Sequence, residues 1–456
     1  MQITETSSEG LKRTLQVVVG ASELSSRFDK RLDEIKDSVH LKGFRKGKVP
    51  LAHIKKLYGR SLMAEVVEQA IKDTSAAAVQ ERKERPAFQP KIALSEDQGE
   101  VEKIIAGQAD LAYSMSFEVL PDITISDLSG LQLERLVTDV EADALDKALG
   151  DLAKRSVTYT AEEGRAADEG DRLQIGFVGK IDGVAFEGGT AEDAHIVIGE
   201  GGFIPGFEDG LKGAKAGEER VVTATFPEDY PANELAGKEA KFDVKVKEVG
   251  KPVLPAIDDE FAKSLGVEDL AKLKELVSEQ IKREYDSAAR MKIKRELLDQ
   301  LEKAHAFELP PSLVDMEFDG IWKQLNDNLA RSGRTFADEG KTEDELRAEY
   351  RGIAERRVRL GLVIGEIGSK NNIEVTQDEL RRALIEQARR FPGQEKMVYE
   401  YFEKTPGAVN ELRAPIFEDK VVDFVLAQAK PSERKVTKDE LLKLVEETTL
   451  AGKDEA

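Results

Sequence analysis

The chain has 456 residues, 40% hydrophobic and 34% charged, with 68 basic against 89 acidic side chains and a net charge of −21. That length suggests roughly three domains of about 150 residues each, and the acidity excludes a general nucleic-acid binder, which needs a broad basic face. With no cysteine there is no disulfide framework or thiolate metal site, and with neither a secretory leader nor an apolar run of about 18 residues the chain reads as cytoplasmic, with no membrane partner.

Lys12–Val19 alternates and ends at Gly20, which reads as a strand. A helix is expected over 22–39, with Ser22 as its N-cap and Leu24, Phe28, Leu32, Ile35 and Val39 on one face. The stretch Gly43-Phe44-Arg45-Lys46-Gly47-Lys48-Val49-Pro50 then reads as a tight loop. Gly43 and Gly47 accept φ values other residues avoid, and Pro50 suits the first turn of the next helix. Such a loop pushes one aromatic ring and two cations outward together. Residues 41–60 carry seven basic side chains (Lys42, Arg45, Lys46, Lys48, Lys55, Lys56, Arg60) and no acidic one. A cationic knob on an acidic chain is either a solvated loop or a contact for a polyanion. A helical stretch over 50–85 follows, interrupted near Gly59. Strands near Lys91–Leu94 and over 109–120 complete an α+β domain at 1–120. Residues 121–150 read as a connector, with a helix over 141–155.

Between 151 and 250 the texture changes to short strands and glycine turns. Leu173, Ile175 and Phe177 alternate, Asp182-Gly183 is a hairpin signal, and residues 205–211 form one short helix. Phe242, Val244 and Val246 alternate with Lys241, Asp243, Lys245 and Lys247. This is a small antiparallel β module with a short helix across it. Its aromatic residues are dense: Phe177, Phe186, Phe203, Phe207, Phe226, Tyr230 and Phe242. Rings in a small barrel either fill its core or line a pocket.

From 251 to 450 the pattern is helical. Four capping boxes mark helix starts at Ser312/Asp315, Thr342/Glu345, Thr376/Glu379 and Thr437/Glu440. Pro310-Pro311 is expected to end a long helix over 268–304. The scattered apolar positions fit extended all-α arms with partly exposed inner faces; a conventional helical bundle is the other reading. Residues 451–456 are expected to be disordered. The fold class is thus α+β multidomain, and the boundaries near 120, 150 and 250 rest on changes of period.

Conventional catalytic constellations are missing. His40, His53, His195 and His305 are widely spaced, and none sits in a metal-ligand pattern. Gly-Glu-Gly-Gly at 199–202 has Ile204 where a dinucleotide fingerprint needs its last glycine. Neither cofactor nor metal is expected, and Asp258-Asp259-Glu260 reads as a solvated helix start.

Two motifs carry a resemblance that extends over essentially the whole chain. Gly-Phe-Arg-x-Gly-x-x-Pro after an amphipathic helix resembles the ribosome-docking signature of the bacterial trigger factor family. The resemblance implies that Phe44, Arg45 and Lys46, shaped by Gly43, Gly47 and Pro50, contact the large ribosomal subunit near the exit tunnel. Gly170-Asp171-Arg172, Phe177-Val178-Gly179, Phe186-Glu187-Gly188-Gly189 and Ile204-Pro205-Gly206-Phe207-Glu208-Asp209-Gly210 are together similar to the FK506-binding class of prolyl isomerase. That implies a pocket lined by Phe177, Phe186, Phe203, Ile204, Phe207, Tyr230 and Phe242, with Glu187 at its rim. Phe207 lies where many relatives carry tryptophan, and Ala194 where many carry another aromatic residue. The family further implies an ATP-independent chaperone that cradles nascent and unfolded polypeptides in its helical region, a link to cell division, and a homodimer off the ribosome. A competing reading is a stand-alone prolyl isomerase whose helices only dimerise it. A module for free RNA is disfavoured by the acidity.

Overall fold

The computed structural model describes residues 1–36, 49–95, 97–228, 230–232 and 234–453. The chain divides into two compact units, one made of residues 1–137 with 288–456 and the other of 138–287.

The first unit opens with an antiparallel sheet of β1 (Gln2–Glu9), β2 (Lys12–Val19), β3 (Lys91–Leu94) and β4 (Leu111–Glu118), in the order β1-β2-β4-β3. β1 has almost no apolar alternation and is not predicted from the sequence; it is an edge strand held by its pairing with β2. Leu15, Val17 and Val19 stand opposite Met115, Tyr113 and Leu111, and all six are essentially fully buried. Each such side chain contributes about 1.5–3 kcal/mol by leaving water. Helices α1 (Ala21–Lys36) and α2 (Leu51–Arg82) bring Leu24, Ala70 and Ala78 onto that face. A shorter helix, α3 (Gln98–Ile105), adds Ile104.

Two expectations fail here for local reasons. Ser22 is not the N-cap of α1: the Gly20 carbonyl accepts the N–H groups of Glu23 and Leu24, and Asp110 accepts that of Ala21 at 2.8 Å. Nor does α2 break near Gly59. A glycine costs a helix about 1 kcal/mol relative to alanine, less than the burial of Ile54, Leu62 and Met63 on either side of it.

Strand β5 (Glu134–Val137) is also unforeseen. In the second unit, α4 (Ala142–Arg155) has the expected extent. It precedes β6 (Thr158–Ala161), β7 (Arg172–Ile181), β8 (Val184–Val197), the one-turn helix α5 (Phe207–Leu211), β9 (Glu219–Thr225) and β10 (Glu239–Val253). The sheet order is β6-β10-β7-β8, with β9 also paired to β10. Leu149 and Ala153 of α4 form a separate small core with α6 (Asp259–Ser264) and Leu273 at the start of α7 (Leu270–Ala304).

The first unit resumes through the later turns of α7 and then α8 (Pro311–Ser332), α9 (Glu343–Lys370), α10 (Gln377–Arg389), α11 (Glu395–Lys404), α12 (Ala408–Ala429), β11 (Ser432–Lys435) and α13 (Lys438–Lys453). Ile293, Leu297 and Leu301 of α7 pack with Val363 and Ile367 of α9 and Val421 and Val425 of α12 in a closed core. Other apolar side chains stay in water, among them Met397 at 67% and Phe391 and Tyr401 each at 45% exposure.

Thr342 and Thr376 form complete capping boxes. Thr437 does half as much: it accepts the Glu440 N–H, while the Glu440 carboxylate turns to Arg434. Ser312 is not a cap, because its N–H and hydroxyl both donate to Glu118. Pro310 and Pro311 open α8 rather than close α7, since a first turn has no use for the missing N–H. Helix α13 reaches Lys453, into the segment 451–456 expected to be disordered; the rest of that segment lies outside the described residues. β11 runs parallel to β5, pairing Ser432 with Glu134 and Lys435 with Val137. No helix among the described residues is long and apolar enough to cross a membrane.

Candidate functional site

The phenylalanines of the β module and Tyr230 converge in one cluster. Strands β7 and β8 are joined by Asp182-Gly183, both with positive φ (51° and 83°), the backbone that a two-residue hairpin demands. Leu173 and Ile175 are fully buried and Phe177, two residues on, is half-buried, so one face of β7 points into the module. Across the ladder, Val244 of β10 stands opposite Phe177, and Phe242 opposite Gly179.

Phe207, at the first turn of α5, is 1% exposed and Phe242 is 5% exposed, so these two form a floor. Their rings meet edge to face at 5.0 Å between centroids, 87° apart. Phe203 stacks on Phe207 at 5.2 Å, and Phe177 meets Phe203, Phe207 and Phe242 edge-on at 6.2, 5.8 and 6.0 Å. Phe186 closes on Phe242 from the other side at 6.1 Å. These edge-to-face and offset geometries are the ones ring quadrupoles favour. Phe177, Phe186, Phe203, Ile204 and Tyr230 pack against this core while remaining half-buried, which leaves an apolar wall in reach of a ligand. Glu187 is exposed beside Phe186, and Ala194, opposite Ile175, places no ring on its wall.

All eight residues expected in the pocket therefore lie in the one β module, seven of them in a single apolar cluster. One ring not assigned to the pocket belongs with them. Phe226 is 5% exposed and bridges Phe186 at 5.8 Å and Tyr230 at 4.8 Å, so Tyr230 reaches the cluster through it. Its place after the alternating run of β9 was the available signal. Glycine also shapes the site. Gly206 caps α5 with φ 89°, in a turn where the Phe207 N–H donates to the Ile204 carbonyl at 3.1 Å.

The second expected site can be placed only at its edge. Phe44, Arg45, Lys46, Gly43 and Gly47 lie outside the described residues. Pro50 stands one residue before α2, its carbonyl accepting the N–H groups of His53 and Ile54 at 2.9 and 3.2 Å. It is thus an N-cap rather than a first-turn residue. Val49 is buried, and Lys55 lies over the Phe28 ring at 5.3 Å. A cleft between α1 and α2, lined apart from Val66 by polar and charged residues, is laced by ion pairs such as Arg27–Asp73 at 2.8 Å. Among the described residues no group of three acidic or histidine side chains is placed to hold a metal.

Comparison with known proteins agrees with this layout. Residues 1–152 match the model of the bacterial trigger factor protein and 269–427 that of its C-terminus, while 163–247 match the FKBP-type peptidyl-prolyl cis-trans isomerase model. A trigger factor of Rhizobium etli is 49% identical over 442 residues, covering 97% of this chain and 89% of that protein. A trigger factor of Azorhizobium caulinodans is 52% identical over 447 residues, covering 98% and 99%. A solved structure described as a promiscuously substrate-recognising trigger factor chaperone superposes with a TM-score of 0.56 at 22% identity, covering 94% of this chain and 100% of that one. That last likeness speaks to the fold. Identity near one half along almost the full length speaks to descent, and the chain belongs to the trigger factor family.

Proposed function

We propose that Phe177, Phe186, Glu187, Phe203, Ile204, Phe207, Tyr230 and Phe242 form the isomerase pocket of this trigger factor family member, and that Phe44, Arg45 and Lys46 dock it on the large ribosomal subunit near the exit tunnel. The protein is a ribosome-associated, ATP-independent chaperone of nascent chains with an FKBP-type peptidyl-prolyl isomerase domain. A stand-alone isomerase is not supported, because the relatives match along the N-terminal and helical regions as well. The division of labour follows the sequence: docking in 1–120, a connector in 121–150, isomerisation in 151–250 and client cradling in 251–450. On this reading the protein works in the cytoplasm, and the family resemblance implies a homodimer off the ribosome.

The observation that carries the pocket assignment is the floor of Phe207 and Phe242 beneath half-buried Phe177, Phe203 and Ile204. An X-Pro bond isomerises over tens to hundreds of seconds because the amide must give up its resonance while it twists. The planar amide is the more dipolar state. Moving it from water onto an apolar wall disfavours that ground state relative to the twisted one, so the barrier falls. This step asks for no nucleophile, metal or proton shuttle. Phe207→Ala or Phe242→Ala abolishes isomerisation of a short proline peptide on this reading. Wild-type catalysis in both variants refutes the assignment.

A further inference from the structure

One side chain outside the aromatic cluster holds a wall of it in place. The Glu208 carboxylate accepts the backbone N–H groups of Gly199 and Gly201 on Oε2, at 2.8 and 3.1 Å, and that of Phe203 on Oε1 at 3.3 Å. Gly199 and Gly201 both have positive φ (96° and 68°), so the loop leading to Phe203 is built from residues with wide backbone freedom. Glu208 follows Phe207 directly, on the same turn of α5. Its carboxylate thus ties a loop with little stiffness of its own to the residue that forms the floor. Phe203 stacks on Phe207 with its plane only 14° away, which requires the loop to stay down.

We propose that Glu208 is a positioning residue of the isomerase: its carboxylate fixes loop 199–203 so that Phe203 and Ile204 stand ready over Phe207 before substrate arrives. The proposal rests on the pocket assignment above. It touches no reacting atom and acts on how often the pocket is complete. A pocket that is competent for only a fraction of the time binds more weakly by that fraction. Loosening the loop therefore raises KM and leaves kcat nearly as it was.

The test uses the full-length protein, a short peptide with one X-Pro bond, and separate determination of kcat and KM, with amide hydrogen exchange read at Gly199, Gly201 and Phe203. For Glu208→Ala, KM rises about tenfold, kcat stays within about twofold, and exchange at the three amides accelerates. Glu208→Gln falls between, since one amide oxygen can still hold Gly199 and Gly201 while its NH2 faces the Phe203 N–H. This variant, with KM up about threefold, carries the test if the alanine variant fails to fold. A wild-type KM in both variants, or a loss confined to kcat, overturns the proposal. Phe207→Ala separates the two readings. If it is inactive while Glu208→Ala is normal, only the role of Glu208 falls; if it and Phe242→Ala both retain full catalysis, the pocket assignment falls and this proposal with it.

Discussion

The Phe186 ring fills the space that a side chain on residue 179 would need. A methyl group on Gly179 would lie 2.8 Å from Cε1 and Cζ of Phe186 and 2.7 Å from Cε1 of Phe242. Gly189, on the strand that carries Phe186 itself, repeats the arrangement, with a methyl there falling 2.6 Å from Phe186 Cε2. Two stretches of bare backbone therefore seat Phe186, and the seat exists only because both residues lack a Cβ.

Gly179→Ala consequently forces Phe186 or Phe242 off its place. Overpacking of this kind costs about 1–3 kcal/mol, and displacing a substrate-positioning group lowers kcat/KM by roughly tenfold or more. Thermal unfolding together with a proline-peptide assay checks both. Wild-type values in the two measurements would show that Phe186 does not depend on this seat.

Docking is tested at the other site. Phe44→Ala combined with Arg45→Glu and Lys46→Glu removes the ring and reverses both cations. Co-sedimentation with ribosomes is expected to disappear, and the binding of the unmodified protein to weaken steeply as salt rises, as phosphate contacts require. Undiminished co-sedimentation of the triple variant sinks the docking role.

Local signals in the chain were readable and distant ones were not. The alternation of Lys12–Val19, the hairpin at Asp182-Gly183 and the capping boxes at Thr342 and Thr376 each report a few neighbouring residues, and each recurs in the structure. The ring cluster was legible as a dense set of phenylalanines, and family resemblance set it apart from an ordinary core. The polar strand β1 carries no face to read. The β5–β11 pair joins segments far apart in the chain through backbone hydrogen bonds, which leave no periodic trace. Ser312 matched a capping pattern but lies within reach of Glu118, a carboxylate from another element, and bonds to that instead. Glu208 and the seat of Phe186 belong to the same kind: their roles depend on which backbone comes near, and only the fold decides that.

A third glycine supports the helical core. A methyl on Gly368 of α9 would collide with Cζ of Phe417 on α12 and lie 2.8 Å from its Cε2. Gly368→Ala must separate the two helices or turn Phe417 out, at about 1–3 kcal/mol. A lower urea midpoint with an unchanged slope is the expected result. An unshifted midpoint would mean that the ring has room to move.

One acid-sensitive contact joins α10 to α12. Lys420 donates to both oxygens of Glu379, at 2.8 and 3.0 Å, while the N–H and hydroxyl of Thr376 donate to Oε2 at 2.7 and 2.8 Å. The Lys420 hydrogen bond foremost, and the Thr376 bonds after it, hold the Glu379 carboxyl at about 2 against an ordinary 4.5. The folded state therefore binds this proton less tightly than the unfolded chain does. The stabilisation is fully present above about pH 4.5 and is lost as pH falls toward about 2. The Glu379 side chain is 33% exposed, so salt and solvent trim the effect. Across that window the urea midpoint of the wild-type protein is expected to fall more steeply than that of Glu379→Gln, with the two curves converging at the acid end. Parallel curves would show that the Lys420–Glu379 contact contributes nothing to acid sensitivity.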